Sequence, residues 1–190
     1  MIDTYISYVQ RHLKPKDLKV AMNVMEGMQN AASKYGLDPH QAKVAGLLHN
    51  LGAPLKSAQM VEYLMPRERK LMARIPPKLF SRGYLIGPTS ANLALENLDV
   101  RELAIFDAIR GHTGLIEDTN PLTRCLLIVA ILFNNENDPE NKRAALAKKF
   151  YFGGNLKEAE KALHGRKADD EKLSKSGRTR IRQVSKPGIF

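Results

Sequence analysis

Two histidines and their neighbours are the residues of this chain best placed to do chemistry. His49 ends the apolar run Ala42-Lys43-Val44-Ala45-Gly46-Leu47-Leu48 and is followed by Asn50. His112 ends Ala108-Ile109-Arg110-Gly111 and is followed by Thr113-Gly114. A helix of this kind buries its length and delivers one polar side chain, at its end, to the interior of the domain. A metal bound there would make the protein an enzyme. Two imidazoles and an amide are a poor metal site, however. Catalytic zinc usually takes three protein ligands, and a binuclear iron or manganese site wants carboxylates. Without a metal, His49 and His112 are expected to be buried and hydrogen-bonded to each other or to Asn50.

Other chemistry is thin. There is no glycine-rich phosphate loop, and Gly153-Gly154 reads as a hinge. There is no nucleophile elbow. Cys125 neighbours an apolar run and is expected to be buried rather than reactive. A single cysteine excludes an intramolecular disulfide and any Cys-based zinc site. His12, His40 and His164 read as surface residues.

The elements that must position the two histidines are helices throughout. Residues 3–13 form a short amphipathic helix that Pro15 breaks. A second runs over about 16–35, with Leu18, Met22, Met25, Met28 and Ala32 at helical spacing. Gly36 stops it in the left-handed region. Asp38-Pro39-His40-Gln41 then opens the helix that ends at His49: Asp caps, Pro takes the first turn, and Gln sits at the capping-box position. Residues 54–82 are less regular, with short helices over 57–64 and 67–74. Gly87-Pro88-Thr89 is expected to start a helix to about Asn97, and Asp99 to cap the one that leads to His112. The run 122–134 is apolar on most sides and should be buried. Further helices are expected over 138–151 and 155–164. No stretch alternates as a sheet strand does, so the class is all-α.

The 190 residues carry a net charge of +10, and 43% are apolar. Such an excess of cations favours a polyanionic partner. The charge gathers in two places. One is the stretch with Arg67, Arg69, Lys70, Arg74, Lys78 and Arg82. The other is the end of the chain, where Lys175, Arg178, Arg180, Arg182 and Lys186 stand without an acid from Ser174 onward. From Gly165 there is too little apolar material to fold alone. The N-terminus has no basic region followed by an apolar one, and no apolar run spans a bilayer. The expected location is cytoplasmic.

The order of these pieces resembles the HD-domain phosphohydrolase superfamily over about residues 1–135, and most closely the branch that splits diadenosine tetraphosphate symmetrically. The resemblance rests on Val24-Met25-Glu26 in the first long helix, on Tyr35-Gly36-Leu37-Asp38 leading to Ala42 through His49, on Gly87-Pro88 with Ala91, Leu93 and Ala94, and on Ala108 through Gly114 before an apolar helix. It implies a helical bundle and a metal cage of histidines and aspartates, in which metal lowers the pKa of a bound water and neutralises phosphate charge.

This chain departs from that pattern. The first family histidine falls on Val20. The adjacent His-Asp pair is His49-Asn50. The histidine before Gly-Pro is Ile86, and the distant aspartate falls on Ile131. A shift of alignment supplies no substitute, because 18–34 holds no histidine and 122–133 no acid. The aliphatic replacements suggest a cage filled with core, since a vacated polar cage is costly to bury.

The expected organisation is therefore an HD-like helical domain over 1–135, additional helices over 136–164, and a basic extended tail over 165–190. The expected function is a catalytically inactive module with no cofactor. It contacts RNA or a ribonucleoprotein assembly, or an acidic protein surface, and no membrane. Lys175, Arg178, Arg180, Arg182 and Lys186 would neutralise phosphates without reading bases, joined by Arg67, Arg69, Lys70 and Arg74. One alternative is a metal-dependent nucleotide phosphohydrolase with an atypical site. Another is a nucleotide sensor that binds without cleaving, against which a shrunken, dry pocket would argue.

Overall fold

A computed structural model describes residues 2–115, 120–134, 154–155 and 158–159. The described residues form helices and no strand, as the all-α reading requires. They are α1 (Ile2–His12), α2 (Pro15–Tyr35), α3 (Pro39–Leu48), α4 (Ser57–Arg67), α5 (Arg69–Met72), a 3-10 turn over Pro77–Leu79, α6 (Arg82–Leu98), α7 (Leu103–Gly111) and α8 (Pro121–Asn134). Compact clustering places residues 1–141 in one unit and 142–190 in another. The helices expected over 138–151 and 155–164, and the tail over 165–190, lie largely or wholly outside the described residues.

α3 is the centre of the first unit. It packs against α1, α2, α6, α7 and α8. Six of its ten residues are buried, from Ala42 to Leu48. Its start follows from local chemistry: Asp38 Oδ1 accepts the Gln41 backbone N–H at 2.8 Å, and Pro39 occupies the first turn. The reciprocal half of the capping box does not form. The Gln41 side chain instead donates to Glu102 at the start of α7. α2 ends at Gly36, whose φ of 64° is the left-handed stop.

α2 and α3 approach closely because of one glycine. A Cβ on Gly46 would sit 2.9 Å from both Met25 Cα and the Val24 carbonyl oxygen. Any side chain there would push α3 away from α2. The buried face of α2 is Ala21, Val24, Gly27, Met28, Ala31 and Ala32, whereas Met22 and Met25 are half-buried. Small residues thus set the approach, and only part of the methionine stripe fills the core. α8 is buried on most sides as its composition requires, from Cys125 through Ala130.

Two boundaries differ from expectation. α6 begins at Arg82, not at Gly87, so Gly87 and Pro88 lie inside it. A proline within a helix leaves the carbonyl four residues back without its N–H partner. That carbonyl belongs to Tyr84, and the Thr113 hydroxyl donates to it at 2.9 Å. Gly87 makes the contact sterically feasible, since a Cβ there would meet the Arg110 carbonyl oxygen at 2.8 Å. α6 is therefore continued by a side chain at the end of α7. Asp99 is not an N-cap. It ends α6 in the left-handed conformation, with φ 54°, and Glu102 precedes α7 instead.

A second hydrophobic cluster, Met60, Leu64, Met72, Ile75 and Leu85, lies beneath α4 and α5. Glu68, between these helices, is gripped by Arg110 of α7 through two bonds of 2.8 Å, and Asn92 of α6 adds a third at 3.2 Å. This half-buried fork ties the α4–α5 corner to the helices that carry the histidines.

Candidate functional site

The ends of α3 and α7 meet. His49 and His112 are buried, their ring centroids are 5.3 Å apart, and the planes are nearly perpendicular at 84°. They are not hydrogen-bonded to each other or to Asn50, contrary to expectation. Each ring bonds back to its own helix. His49 Nδ1 lies 2.8 Å from the Gly46 carbonyl oxygen, and His112 Nδ1 lies 2.6 Å from that of Ile109. A carbonyl oxygen only accepts, so each Nδ1 carries the proton and each Nε2 the lone pair in the neutral ring. The three-residue spacing brings both bonds about: a histidine one turn past a helical carbonyl can fold back onto it.

Burial holds both rings neutral. It pushes the His49 pKa down to about 3, helped by the proximity of His112 and opposed by the bond to Gly46. It pushes His112 down to about 4, opposed by the bond to Ile109. His49 Nε2 is buried and has no hydrogen-bond partner among the described residues.

The histidines line a cavity of about 450 Å³. Asn50, Val20, Ile86 and Ile131 line it with them. Four helices and the turn after α3 thus bring together all of the positions that the resemblance had paired with ligands. The aliphatic three are half-buried rather than packed shut. The expectation of a cage filled with hydrocarbon is therefore corrected. A space remains between these positions, and the helices that frame it are held by contacts elsewhere, such as Gly46 against α2 and Thr113 against α6.

Lys16, Asp17, Arg82 and Thr113 also line this cavity. Arg82 Nη2 lies 3.7 Å from Asp17 Oδ1, joining the starts of α2 and α6. These were missed as site residues, although helical spacing could have found them. Lys16 and Asp17 precede Val20 by four and three residues, and Arg82 precedes Ile86 by four, so each pair shares a helix face.

A metal centre does not fit the donors present. Two imidazoles, one amide and the Arg82-paired carboxylate of Asp17 line the cavity. Among the described residues no group of three or more His, Cys, Asp or Glu could hold a metal ion. The orphaned His49 Nε2 supplies one ligand and His112 a second, but the one carboxylate lining the cavity, Asp17, is paired with Arg82 and does not complete a ligand set with them.

Of the residues offered to nucleic acid, Arg67 is engaged within the fold. It bonds Glu96 at 2.6 Å and lies 3.9 Å over the Tyr63 ring. Arg69, Lys70 and Arg74 are exposed around α5. Lys175, Arg178, Arg180, Arg182 and Lys186 lie outside the described residues. Cys125 is buried, and burial pushes its thiol up to about 12, which keeps it protonated and inert. His12 and His40 are exposed, and His164 lies outside the described residues. No described helix is long and apolar enough to cross a membrane.

Comparison with known proteins agrees with this geometry. The family model described as HD domain matches residues 21–150. Among solved structures, the chain is similar to a protein from Clostridium acetobutylicum described as a "predicted HD superfamily hydrolase involved in NAD metabolism". The TM-score is 0.70 at 19% identity, over 93% of this chain and 88% of that one, so the likeness is one of fold. No curated protein matches it.

Proposed function

The chain belongs to the HD-domain family, and we propose that its central cavity binds a phosphate-bearing nucleotide without the metal-dependent hydrolysis for which the family's full ligand set is built. The observation that carries this reading is the surviving cavity of about 450 Å³, lined by Lys16 and Arg82 beside two neutral imidazoles. The volume suits a small ligand. Arg82 offers a planar fork for a phosphate and Lys16 a mobile point charge. Asp17 offsets part of that charge and orients Arg82 across the mouth. The Thr113 hydroxyl is committed to the Tyr84 carbonyl. Asn50 presents an amide where a carboxylate would repel phosphate. No hydrolytic step is assigned, because Lys16 and Arg82 supply charge for binding but no metal ligand set is present among the described residues to activate a water.

The pocket reading takes precedence over the RNA-binding one because its residues stand together in the described structure. A second reading, metal-dependent nucleotide hydrolysis, is favoured by one observation. Both Nδ1 atoms are pinned by carbonyls, an arrangement that orients imidazoles for ligation through Nε2.

Variants separate pocket binding from binding elsewhere. Arg82→Glu and Lys16→Glu are each expected to weaken nucleotide binding by about tenfold, read by calorimetry, with the melting temperature of the free protein nearly unchanged. Unaltered affinity in both variants would remove the pocket from the account.

A further inference from the structure

An apolar groove that the nucleotide pocket does not use lies beside α5, and the exposed Lys70, Arg74 and Lys78 stand within two residues of its lining in the sequence. Met65, Pro66, Met72, Ala73 and Phe80 line it, with Arg69 at its edge, and its volume is about 570 Å³. Met65 is among the few exposed large hydrophobic residues, at 52% of its surface, whereas Met72 at 4% forms the floor and belongs to the cluster beneath α4 and α5. Methionine side chains adapt to varied apolar shapes.

Among the described residues, the charges next to the groove lining in the sequence are mostly positive. Arg69, Lys70, Arg74 and Lys78 are exposed, and none forms a salt bridge among the described residues. The stretch 57–80 has two acids. Glu68 is neutralised by the Arg110 fork, and Glu62 is exposed on α4. Arg67 is paired with Glu96 and adds no free charge.

We propose that this groove is a docking site for an acidic segment of a partner protein that inserts one large apolar side chain between Met65, Met72 and Phe80. The four free cations would meet the acids flanking that anchor, while the groove removes the anchor from water. The chemistry favours this occupant over others. A second copy of the chain carries the same sign of charge, +10 overall. RNA would neutralise the cations but has little use for a groove walled by methionine, proline and alanine, since its bases stack on exposed flat rings. An anionic membrane is met by a protruding apolar edge rather than by a groove.

The test is a selection of random short peptides displayed on phage against the full chain, with the enriched peptides then measured singly. Acidic peptides carrying one large apolar residue are expected to be enriched. Their affinity should fall about tenfold or more for Met65→Glu, and likewise for the pair Arg69→Glu and Arg74→Glu. Replacing the peptide's apolar residue by alanine should have an effect of the same size. Met65 and both arginines are exposed, so the variants should melt as the parent does, which is checked in parallel. The proposal is overturned if nothing is enriched, if the enriched peptides lack acids, or if they bind Met65→Glu as well as the parent. It is equally overturned if a random RNA pool or phosphatidylserine vesicles bind more tightly at the same cations with no sensitivity to Met65→Glu. Nucleotide affinity at the central cavity should stay constant in these variants, so the two sites fail or stand separately.

Discussion

His49 and His112 enter the core as neutral rings, and this makes the fold acid-sensitive. Each has a folded pKa, about 3 and about 4, below the ordinary histidine value of 6.5. Between those values the unfolded chain binds protons that the folded one refuses. The stabilising contribution is complete above about pH 6.5 and is lost as the pH falls toward 4, on the order of 1 kcal/mol per pH unit for each histidine. Urea unfolding at pH 7 and pH 5 should show a fall in midpoint, and His112→Gln should flatten it. An equal slope in that variant would assign the acid sensitivity elsewhere. His112→Gln removes the titrating ring while keeping a polar amide, so a flattened slope reports the charge.

At the scale of elements, the site is held open by close helix contacts rather than by the residues inside it. α3 lies against α2 because Gly46 has no side chain, and α6 is continued past Pro88 by Thr113. Gly46→Ala would force a Cβ into the Met25 and Val24 backbone, which cannot rotate away. A loss of about 1–3 kcal/mol in denaturant unfolding is expected. Helix propensity alone would favour alanine by up to about 1 kcal/mol, so the sign of the change decides between packing and propensity. The same scale shows what the sequence could convey. α1, α2 and α3 were legible because each has a clear period and its own start or stop, such as Pro15, Gly36 or Asp38, and α8 because its apolar run is continuous. The start of α6 was not. Pro88 reads locally as a helix start, and only the Thr113 hydroxyl, 25 residues later in the sequence, makes an interior proline tolerable. Asp99 misled in the same way. It is a good N-cap type, but here it takes the left-handed conformation that ends α6.

Over the whole molecule, Val20, His49, Asn50, Ile86, His112 and Ile131, the positions that the resemblance paired with ligands, converge on one cavity. Their types were legible in the sequence, but the space between them was not. Aliphatic replacements suggest filling, whereas helix packing decides the volume. Lys16 carries no signal beyond that of an ordinary surface cation, and Arg82 reads as part of the basic stretch 67–82, although each lies one turn from those positions. The proposed function accordingly rests on the central cavity rather than on the basic surface. The nucleic-acid role of the tail over 165–190 remains a proposal about residues outside the described ones.

The central claim is that this cavity holds a nucleotide in the absence of metal. It is tested most directly by titrating a dinucleoside polyphosphate into chelator-treated, metal-free full-length protein in a calorimeter, then repeating the titration with manganese and assaying the products. The account predicts saturable binding without metal, little change when manganese is added, and no cleavage in either case. Binding that appears only with stoichiometric metal, accompanied by turnover, would contradict it and establish the protein as a hydrolase.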